Sequence, residues 1–409
     1  MLSVDEARRR VLEAMTPLPV EELPIAEARG LVLSETLLAP HPLPRWDNSA
    51  MDGYALRGDE GATASADSPL VLEVIGEVRA GDPGDVEVTP GTAVRIMTGA
   101  PVPSGADAVI PVEETEESDG KVVVKAPAAR GTHVRPAGDD LNAGDVLVQA
   151  GTELGPGELA LLATMGFSPL RVRSGPKVAI LVTGDELVPP EAEPGPGQIR
   201  DSNSIALRAL VADAGGEALA FPPVRDDRGV TLEAFRRAGE MADLVLSSGG
   251  VAVGKYDFVK DVVEELGRID MWRVAMQPGK PVVLGSIAST PFLGLPGNPV
   301  SIHVGFEQFV RPAIRKMRGC RALLRPTIVA ELTEPITKRP GRLHFVRVGL
   351  RLRDGRWFAT PTGAQGSHIQ SSLIDCDGVA RFDIEETGID AGSDVVVEVW
   401  RLPEGDHQS

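Results

Sequence analysis

The sequence predicts a multidomain protein in which a doubly wound α/β domain lies between β-rich segments. The chain has 409 residues, which exceeds a single ordinary core, because domains usually hold about 100 to 200 residues. Over residues 176–322, apolar strands alternate with amphipathic helices, which is typical of a mainly parallel sheet. Elsewhere, short alternating runs separated by Gly, Pro and Asp turns indicate β-structure.

The α/β domain centres on the stretch from Asp243 to Gly254, DLVLSSGGVAVG. It predicts a buried strand that ends in two glycines and leads to a helix with Asp257 at its N-terminus. The apolar residues of that helix have helical spacing: Val259, Val262, Val263 and Leu266. Backbone N–H groups in such a loop suit a phosphate, although a simple turn is the alternative. Tyr256 stands where a P-loop needs Ser or Thr, which excludes a P-loop NTPase.

Four polar or glycine-rich segments stand where strands of this domain should end. They are Asp185 and Glu186 after AILVTG, the SGGVAVG loop, PGKP at Pro278 to Pro281, and LPGNP at Leu295 to Pro299. Open α/β sheets bind ligands outside the carboxyl ends of their strands. The coincidence therefore predicts a ligand site at one edge of the sheet.

The N-terminal part begins with a helix whose capping box is Ser3 and Glu6, and Pro17 ends it. A Pro-rich extended segment follows and carries polar residues that indicate either a hinge or part of a site: Asp47, Asn48, Asp52 and Tyr54. Residues 50–135 read as all-β. Within them, the loop MTGAPVPSGADAVI offers the Thr98 hydroxyl to a ligand or forms a plain hairpin turn.

The α/β domain ends with a long helix predicted from Pro299 to Met317, and the last 85 or so residues of the chain read as a small β-domain. The charged and polar residues that cluster in that domain are Arg342, His344, Arg347 and those of the loop GAQGSHIQSS.

Composition and missing motifs exclude several classes of function. A net charge of -18 argues against nucleic-acid or anionic-membrane partners, so an anionic substrate must meet a local cluster of positive charge. Cys320 and Cys376 lie far apart without a C-x-x-C pattern, which indicates a reducing, cytoplasmic compartment. The sequence contains no run of about 18 apolar residues, so it predicts no membrane span. Motifs of zinc hydrolases, serine hydrolases and dinucleotide-binding dehydrogenases are missing.

Seven motifs in order carry a resemblance over nearly the whole chain: SAMDGYA, IMTGAPVPSGADAVI, AILVTGDEL, IRDSN, SSGGVAVGKYD, QPGKP and GLPGNPVS. The sequence resembles the MoeA family of molybdopterin molybdenumtransferases and is similar to the E domain of gephyrin. The resemblance implies an elongated homodimer with a MogA-like α/β domain. The implied domains are a discontinuous N-terminal domain (1–48 and 136–175), an inserted β-domain (49–135), a molybdopterin-binding domain (176–322) and a C-terminal β-barrel (323–409).

The chemistry implied by the resemblance is the transfer of molybdenum from molybdate to adenylylated molybdopterin, with release of AMP and assistance from Mg²⁺. A molybdopterin adenylyltransferase is the implied upstream partner. The implied catalytic residues are Asp52, Thr98, Asp185, Glu186, Asp257 and Lys280, and in a dimer Asp52 and Thr98 would complete the site of the other subunit. The implied metal ligands are Asp185, Glu186, Asp226 and Asp257, since hard cations prefer carboxylate oxygen.

The resemblance also implies two sets of binding residues. Those for molybdopterin or AMP are Thr183, Gly184, Asp201, Ser202, Asn203, Ser247, Ser248, Gly249, Gly250, Val251, Gly254, Pro278, Gly279, Pro296, Gly297, Asn298 and Pro299. Those for molybdate are Arg273, Lys280, Arg347, Ser367 and Ser371. The sequence departs from the family pattern at Gln277 and Arg273, where a basic residue and a lysine are common, and at Ala252, where a serine is common.

Two other functions compete with molybdenum insertion. A molybdopterin adenylyltransferase shares the α/β domain, but that activity needs no additional β-domains. A scaffold or pterin carrier is the non-enzymatic alternative. Retention of Asp52, Asp185, Glu186, Asp257 and Lys280 favours chemistry over binding alone.

Overall fold

The computed structural model describes residues 1–250 and 258–403. The chain forms two compact units. One contains residues 1–35, 150–156 and the chain from residue 168 onward, and the other contains residues 36–149 and 157–167. Among the described residues, no helix is both long and apolar enough to cross a membrane.

The helices and strands have the following bounds. The helices are α1 (Val4–Ala14), α2 (Gly58–Gly61), α3 (Pro156–Thr164), α4 (Asn203–Asp213), α5 (Arg228–Met241), α6 (Val259–Leu266), α7 (Pro299–Gly305) and α8 (Arg311–Met317). The strands up to residue 173 are β1 (Glu21–Leu23), β2 (Val32–Leu33), β3 (Leu37–Leu38), β4 (Asn48–Ser49), β5 (Gly53–Leu56), β6 (Leu70–Val78), β7 (Thr92–Ile96), β8 (Ala108–Pro111), β9 (Thr115–Ser118), β10 (Lys121–Val124), β11 (Val134–Arg135), β12 (Val146–Val148) and β13 (Leu170–Arg173). Those up to residue 295 are β14 (Lys177–Val182), β15 (Leu187–Val188), β16 (Ile199–Arg200), β17 (Glu217–Ala220), β18 (Leu244–Ser248), β19 (Gly267–Arg273), β20 (Met276–Gln277), β21 (Pro281–Ile287) and β22 (Thr290–Leu295). The last are β23 (Thr327–Leu332), β24 (Ile336–Thr337), β25 (Leu343–Arg353), β26 (Arg356–Pro361), β27 (Gly378–Phe382), β28 (Gly388–Ile389) and β29 (Asp394–Val399).

The unit that contains residues 36–149 is built on a six-stranded sheet of order β8-β5-β7-β6-β10-β9. The expectation of β-structure over residues 50–135 is confirmed, except that α2 adds a single helical turn. Two glycines permit this turn to lie close to the chain at residues 128–130. A Cβ atom on Gly58 would come within 2.4 Å of the Arg130 nitrogen, and one on Gly61 within 2.7 Å of the Ala128 carbonyl oxygen.

The N-terminal segment of the other unit starts with α1. Ser3 Oγ accepts a hydrogen bond from the Glu6 N–H at 3.2 Å, as a helix N-cap does. The carboxylate of Glu6, however, bonds to Arg9 and Arg10 rather than back to Ser3. Strands β1, β13 and β2 form a small sheet that joins residues 21–33 to residues 170–173. The N-terminal domain is therefore discontinuous, and the six-stranded sheet is an insertion in it.

The α/β domain has a six-stranded sheet of order β17-β14-β18-β22-β21-β19, whose first four strands are parallel. Alternate residues of β14 face opposite sides. Ile180 packs in one core with α4 and α7, and Leu181 packs in a second core with α5 and α6. Helices therefore cover both faces, which confirms the doubly wound arrangement.

The segment RVAMQPGKPVVLG differs from the expected hairpin. Strands β19 and β21 do pair antiparallel, but Met276 and Gln277 leave that sheet and pair in parallel with β25. The PGKP segment consequently lies between two strands, because it follows the end of β20 and leads into β21. Because β21 runs antiparallel to its neighbour β22, its beginning lies at the same sheet edge as the other polar segments.

The long helix predicted from Pro299 to Met317 contains one π-helical turn, Phe306–Val310, between α7 and α8. Pro312 has no N–H to donate to the carbonyl of Gln308, and Arg8 Nε donates to that carbonyl at 3.1 Å. The Gln308 amide in turn donates to both carboxylate oxygens of Glu398. This buried chain of hydrogen bonds joins α1, the long helix and the C-terminal strand β29.

The C-terminal region forms a five-stranded barrel. Its strands follow the order β25-β26-β23-β29-β27, and a further β25 to β27 pairing closes the sheet. The fold class predicted from the sequence is confirmed in all four of its parts.

Candidate active site

The site is built where three neighbouring parallel strands end together. Val182 at the end of β14 pairs with Ser248, and Ser248 at the end of β18 pairs with Leu295 at the end of β22. The three loops that follow leave the sheet side by side, as parallel strands require. The strand ends that the sequence predicts to lie together thus do form one edge of the sheet.

Two adjoining cavities occupy this edge. The smaller, about 350 Å³, is lined by strand ends and helices of the α/β domain, and the larger, about 730 Å³, reaches the barrel loop that carries Gln365, Gly366 and Ser367. They share seven wall residues: Glu186, Leu187, Ile199, Asn203, Gly249, Gly250 and Gly297. One extended ligand can therefore occupy both.

The two glycines after β18 are required by the backbone. Gly249 and Gly250 have φ angles of +86° and +68°, which L side chains rarely adopt. A Cβ atom on Gly250 would also come within 2.1 Å of a methyl carbon of Val259 on α6. The loop passes this close to the helix because it carries no side chains at these positions.

Two asparagines tie the loops together. Asn203 Nδ2, at the first residue of α4, donates to Ser248 Oγ at 3.1 Å and to the Gly297 carbonyl at 2.8 Å. Asn298 Nδ2 donates to Ser367 Oγ at 3.0 Å. These bonds hold three loops of the α/β domain and one loop of the barrel in a single wall.

Carboxylates gather at the end of β14. Asp226 N donates to Asp185 Oδ1 at 3.2 Å, and Asp185 N donates to Asp226 Oδ2 at 3.4 Å. Burial raises the pKa of Asp226, and the negative charges of Asp185 and Glu186 raise it further. Among the described residues, none of the three carboxylates forms an ion pair, and no cluster of three or more His, Cys, Asp or Glu is arranged to hold a metal ion.

The barrel contributes a buried cation beneath its loop. Arg347 is 0% exposed, and its guanidinium donates to Ser372 Oγ at 2.7 Å and to the carbonyls of Ala364 and Gly366. Its Nη1 has no hydrogen-bond partner among the described residues. Burial lowers the pKa of this guanidinium. The positive charge thus lies directly behind the loop that lines the larger cavity.

Comparison with known proteins gives matches along almost the whole chain. Residues 2–166 match the MoeA N-terminal region (domains I and II), residues 179–316 match a probable molybdopterin-binding domain, and residues 329–400 match the MoeA C-terminal region (domain IV). The molybdopterin molybdenumtransferase 2 of Mycobacterium tuberculosis is 38% identical over 98% of this chain and 100% of its own length. The chain belongs to the MoeA family.

Two further relatives agree with this assignment. The molybdopterin molybdenumtransferase of Haemophilus influenzae is 36% identical over 97% of this chain and 98% of its own length. The crystal structure of the MoeA protein from Pyrococcus horikoshii superimposes with a TM-score of 0.84 and 34% identity, over 98% of this chain and all of that one.

Most residues that the MoeA resemblance implied do line the two cavities. The smaller cavity has Thr183, Gly184, Glu186, Asn203, Asp226, Ser248, Gly249, Gly250 and Gly297 in its wall, and the larger adds Asp201, Ser202, Pro278, Gly279, Lys280, Pro296, Asn298, Pro299 and Ser367. Asp185 lines a third, neighbouring cavity together with Asp226. Val251, Gly254 and Asp257 lie outside the described residues.

Four implied residues of the α/β domain and the barrel do not line these cavities. Ser247 is fully buried in β18, and Arg347 is buried behind the barrel loop. Arg273 and Ser371 are exposed, at the end of β19 and in the turn before Ser372. Asp201, which does line the larger cavity, is 4% exposed, and its carboxylate accepts the Ser204 N–H at the start of α4.

Asp52 and Thr98 lie together in the unit that contains residues 36–149. Asp52 immediately precedes β5, and Thr98 follows the neighbouring strand β7. Thr98 donates to the Asp52 carboxylate through its backbone and its hydroxyl. The polar residues of the Pro-rich segment and those of the MTGAPVPSGADAVI loop thus meet in one place.

Several wall residues were not predicted to form the site. They are Leu187, Ile199, Arg200, Gln277, Pro281, Ser301, Arg342, Gln365 and Gly366 in the larger cavity, and Val182, Thr231, Phe258 and Val259 in the smaller. The sequence did carry a signal for Arg342 and for the GAQGSHIQSS loop, because they belong to the cluster of charged and polar residues in the last β-domain. It contained Leu187 and Ile199 only as members of the motifs AILVTGDEL and IRDSN, and the parallel pairing that places them side by side appears only in the fold.

Proposed function

We propose that this chain is a molybdopterin molybdenumtransferase, which acts in molybdenum cofactor biosynthesis by inserting molybdenum into adenylylated molybdopterin. The observation that carries the proposal is the pair of adjoining cavities at the aligned ends of β14, β18 and β22. Carboxylates stand at one end of the cavities and Lys280 at the other. The relatives of similar length carry the same activity in their names.

The pterin nucleotide binds along the shared wall. We infer that a phosphate binds beside the glycine loop after β18, since Gly249 and Gly250 line both cavities and Asn203 keeps their neighbour Ser248 in place. Apolar side chains of Leu187 and Ile199 provide a surface for a flat ring. Two adjoining cavities with a shared wall suit a ligand with a pterin at one end and a nucleotide at the other.

Molybdate binds at the end that Lys280 and the barrel loop share. Lys280 is exposed in the cavity wall, Ser367 offers a hydroxyl, and Arg347 places an uncompensated positive charge behind them. A buried guanidinium without a carboxylate partner is costly unless an anion lies near it. Arg273 and Ser371 stay candidates because both are exposed. They are secondary candidates because neither lines the cavities described.

Mg²⁺ fits the carboxylate end. Burial, and after it the negative charges of Asp185 and Glu186, raise the pKa of Asp226, and a bound cation would relieve the repulsion between these carboxylates. Mg²⁺ usually takes one or two carboxylates and completes its shell with water and substrate phosphate. Asp185 and Asp226 would hold it, with Glu186 beside them, and Asp257 stays a proposed ligand. The ion would supply charge neutralisation at the phosphoanhydride.

The reaction is proposed to release AMP. Water adds across the phosphoanhydride of adenylylated molybdopterin, the P–O bond to the adenylyl group breaks, and AMP leaves. Glu186 faces both cavities and is the group placed to orient this water. Lys280, at the other end of the cavities, stabilises the negative charge of molybdate.

The experiment measures AMP release and cofactor formation from adenylylated molybdopterin, with molybdate and Mg²⁺ present or omitted. Wild type is compared with Glu186→Ala, Lys280→Ala and the control Glu191→Ala, an exposed carboxylate that lines neither cavity. Molybdate-dependent AMP release, lost in the first two variants and kept in the control, supports the proposal. Pterin binding without AMP release in wild type would leave a carrier or scaffold.

The assembly is proposed to be a cytoplasmic homodimer in which Asp52 and Thr98 complete the site of the other subunit. A molybdopterin adenylyltransferase is the proposed supplier of the substrate, because the chain's own reaction starts from the adenylylated pterin. Membrane and nucleic-acid partners are not part of the proposal, in keeping with the net charge of -18.

A further inference from the structure

A further cavity, of about 900 Å³, lies on the barrel and shares none of its described wall residues with the cavities at the sheet edge. Its wall is formed by the second half of β25, the end of β26, the chain just before β27 and the chain just after β29. A volume of this size is typical of sites for small organic ligands. The cavity is therefore a candidate binding site that the proposed function does not use.

The floor of this barrel cavity is β25. Leu350 packs in the barrel core, so Gly349, Arg351 and Arg353, which alternate with it, face outward. Gly349 has no side chain, and a Cβ atom there would come within 3.1 Å of the Asp375 carbonyl oxygen. The chain before β27 can therefore lie against β25, with the two arginines beside it.

One aspartate and one arginine of the wall neutralise each other. Asp377 Oδ2 accepts from the Leu350 N–H at 2.9 Å, and Asp377 Oδ1 accepts from Arg401 Nε at 2.9 Å. Arg401 Nη2 donates in turn to the Ile374 carbonyl at 2.8 Å. Both oxygens of Asp377 are thus occupied, and this ion pair fixes one side of the cavity without adding net charge.

The remaining charges of the wall favour an anion. Arg351 and Arg353 form no ion pair within the described part of the chain. Arg356, directly opposite Arg353 on β26, holds Glu331 at 2.9 Å and so keeps that carboxylate away from the two arginines. Asp375 is the further acid of the described wall. Two available cations therefore face one carboxylate, in a chain whose net charge is -18.

The rest of the wall supplies a hydroxyl and apolar surface. Thr360 Oγ1 accepts a hydrogen bond from Thr333 at 2.9 Å, so its own proton is available to an anion. Apolar surface comes from Pro361, Leu402 and Pro403. Leu402 is 68% exposed, which leaves its side chain open to contact with the organic part of a ligand.

We propose that the barrel cavity is an anion-binding site in which Arg351 and Arg353 hold a phosphate group or another tetrahedral oxyanion, either free or carried by a small organic molecule. The two guanidiniums leave the same face of one strand, two positions apart, and each presents a fork of N–H donors that matches tetrahedral oxygens. Thr360 adds a neutral donor. The site is independent of the proposed function.

The position of this site connects it to the barrel loop. Residues 362, 375 and 377 line the barrel cavity, whereas residues 365–367 between them line the larger cavity at the sheet edge. Arg347 holds this segment, because its carbonyl accepts the Thr362 N–H at 3.1 Å and its guanidinium donates to the carbonyls of Ala364 and Gly366. An anion bound at the ends of the segment should therefore slow the opening of its middle.

The test titrates full-length wild type with inorganic phosphate and with phenyl phosphate at constant ionic strength, by isothermal titration calorimetry. Arg351→Gln removes one cation, and Asp375→Asn removes the carboxylate that opposes the anion. Arg339→Gln is the matched control, because Arg339 is exposed, carries the same charge and is not among the described wall residues of the four cavities. Thermal unfolding verifies the fold of each variant, and hydrogen exchange with and without phosphate follows residues 360–377.

We expect Arg351→Gln to raise the dissociation constant roughly 10-fold, the loss of one charge-assisted contact. Asp375→Asn should lower it about 2- to 5-fold, because a repelling charge is removed, and Arg339→Gln should equal wild type. Tighter binding of phenyl phosphate than of inorganic phosphate identifies an organic ester as the ligand, and equal binding identifies the free oxyanion. Phosphate should slow exchange in residues 363–373 of wild type and not of Arg351→Gln.

Three results would overturn the inference. One is the lack of binding of both probes to wild type. Another is an equal dissociation constant in wild type and in folded Arg351→Gln and Asp375→Asn proteins. The third is an affinity that falls in Lys280→Ala and in neither of those variants, which would place the anion in the larger cavity at the sheet edge. Unchanged exchange of residues 363–373 in the presence of bound phosphate would overturn the connection to the barrel loop.

Discussion

Thr98 donates two hydrogen bonds to the same oxygen of Asp52, from its backbone N–H at 2.7 Å and from its hydroxyl at 2.8 Å. The pairing of Gly53 with Ile96 in neighbouring strands brings the two residues together. The backbone bond, followed by the hydroxyl bond, lowers the pKa of Asp52, because both bonds favour the ionised carboxylate. Asp52 is thus an exposed carboxylate whose ionised form is favoured by both hydrogen bonds.

Thr98→Val removes the hydroxyl bond and keeps the backbone bond. We expect the pKa of Asp52 to rise toward its ordinary value of 3.8, which carboxyl NMR titration measures directly. Because the folded pKa is depressed, the stabilisation from this group is present above pH 3.8 and is lost as the pH falls through the folded pKa. That loss should move to higher pH in the variant. An unchanged titration of Asp52 in Thr98→Val would contradict the assignment.

A mixed dimer tests whether Asp52 serves the site of the other subunit. We expect Asp52→Asn and Glu186→Gln to be nearly inactive as separate homodimers. Co-expressed with different affinity tags, the mixed dimer should regain about half of the wild-type AMP release, because one composite site receives both intact residues. A site made from one chain alone predicts an inactive mixed dimer, since each chain then carries a broken site.

Asp226→Asn removes one of the repelling carboxylates. The raised pKa of Asp226 means that folding disfavours its charged form, so its stability contribution is present below pH 3.8 and is lost as the pH rises through the folded pKa. Near pH 7 we expect the variant to unfold at a higher temperature than wild type. Its free energy of unfolding should be higher by less than about 1 kcal/mol, because the carboxylate is largely exposed. Below pH 3.8 the two proteins should converge. Added Mg²⁺ should stabilise wild type and have less effect on the variant.

Arg347→Met tests the support of the barrel loop. The substitution leaves the carbonyls of Ala364 and Gly366 without their donor, and we expect the free energy of unfolding to fall by about 1–3 kcal/mol. The KM for molybdate should rise, because Ser367 loses its fixed position. Arg353→Met, on an exposed position of the same strand, is the control and should stay within about 0.5 kcal/mol in urea denaturation. Equal losses of free energy of unfolding in both variants would contradict a role of Arg347 in supporting the barrel loop.

Gly250→Ala separates crowding from backbone strain. Its φ of +68° costs about 1–2 kcal/mol for an alanine, and the new methyl would also press on Val259. Gly99→Ala has a similar φ of +81° but open space around it, so it shows the strain alone. We expect the Gly250 variant to lose more stability than the control in urea denaturation and to bind the pterin nucleotide more weakly. Equal losses of stability would mean that the loop moves away from α6.

The site edge could be predicted because its signals are local. Strands that end in Gly, Asp or Asn and lead to helices were visible in the sequence, and the register of Val182, Ser248 and Leu295 places their ends side by side. The helix with Val259, Val262 and Val263 on one face also appears as expected. These features need only short-range patterns and the usual handedness of α/β units.

The remaining features depend on distant parts of the chain. Nothing local indicates that Met276 and Gln277 join the barrel, or that Arg347 lies behind a loop instead of in the cavity wall. The π-helical turn follows from Pro312 together with a donor more than 300 positions earlier in the chain. Long-range pairing of this kind is decided by packing, which single-sequence patterns do not record.

The hydrogen-bonded series of Arg8, Gln308 and Glu398 also sets an order of events during synthesis. Arg8 leaves the ribosome early, but its partner Gln308 lies 300 positions later and Glu398 another 90. At roughly 5–20 residues per second, α1 waits on the order of 15–60 s for its final partners. During that interval its apolar face, with Val4, Ala7 and Val11, lacks the residues of the long helix that cover it in the folded chain.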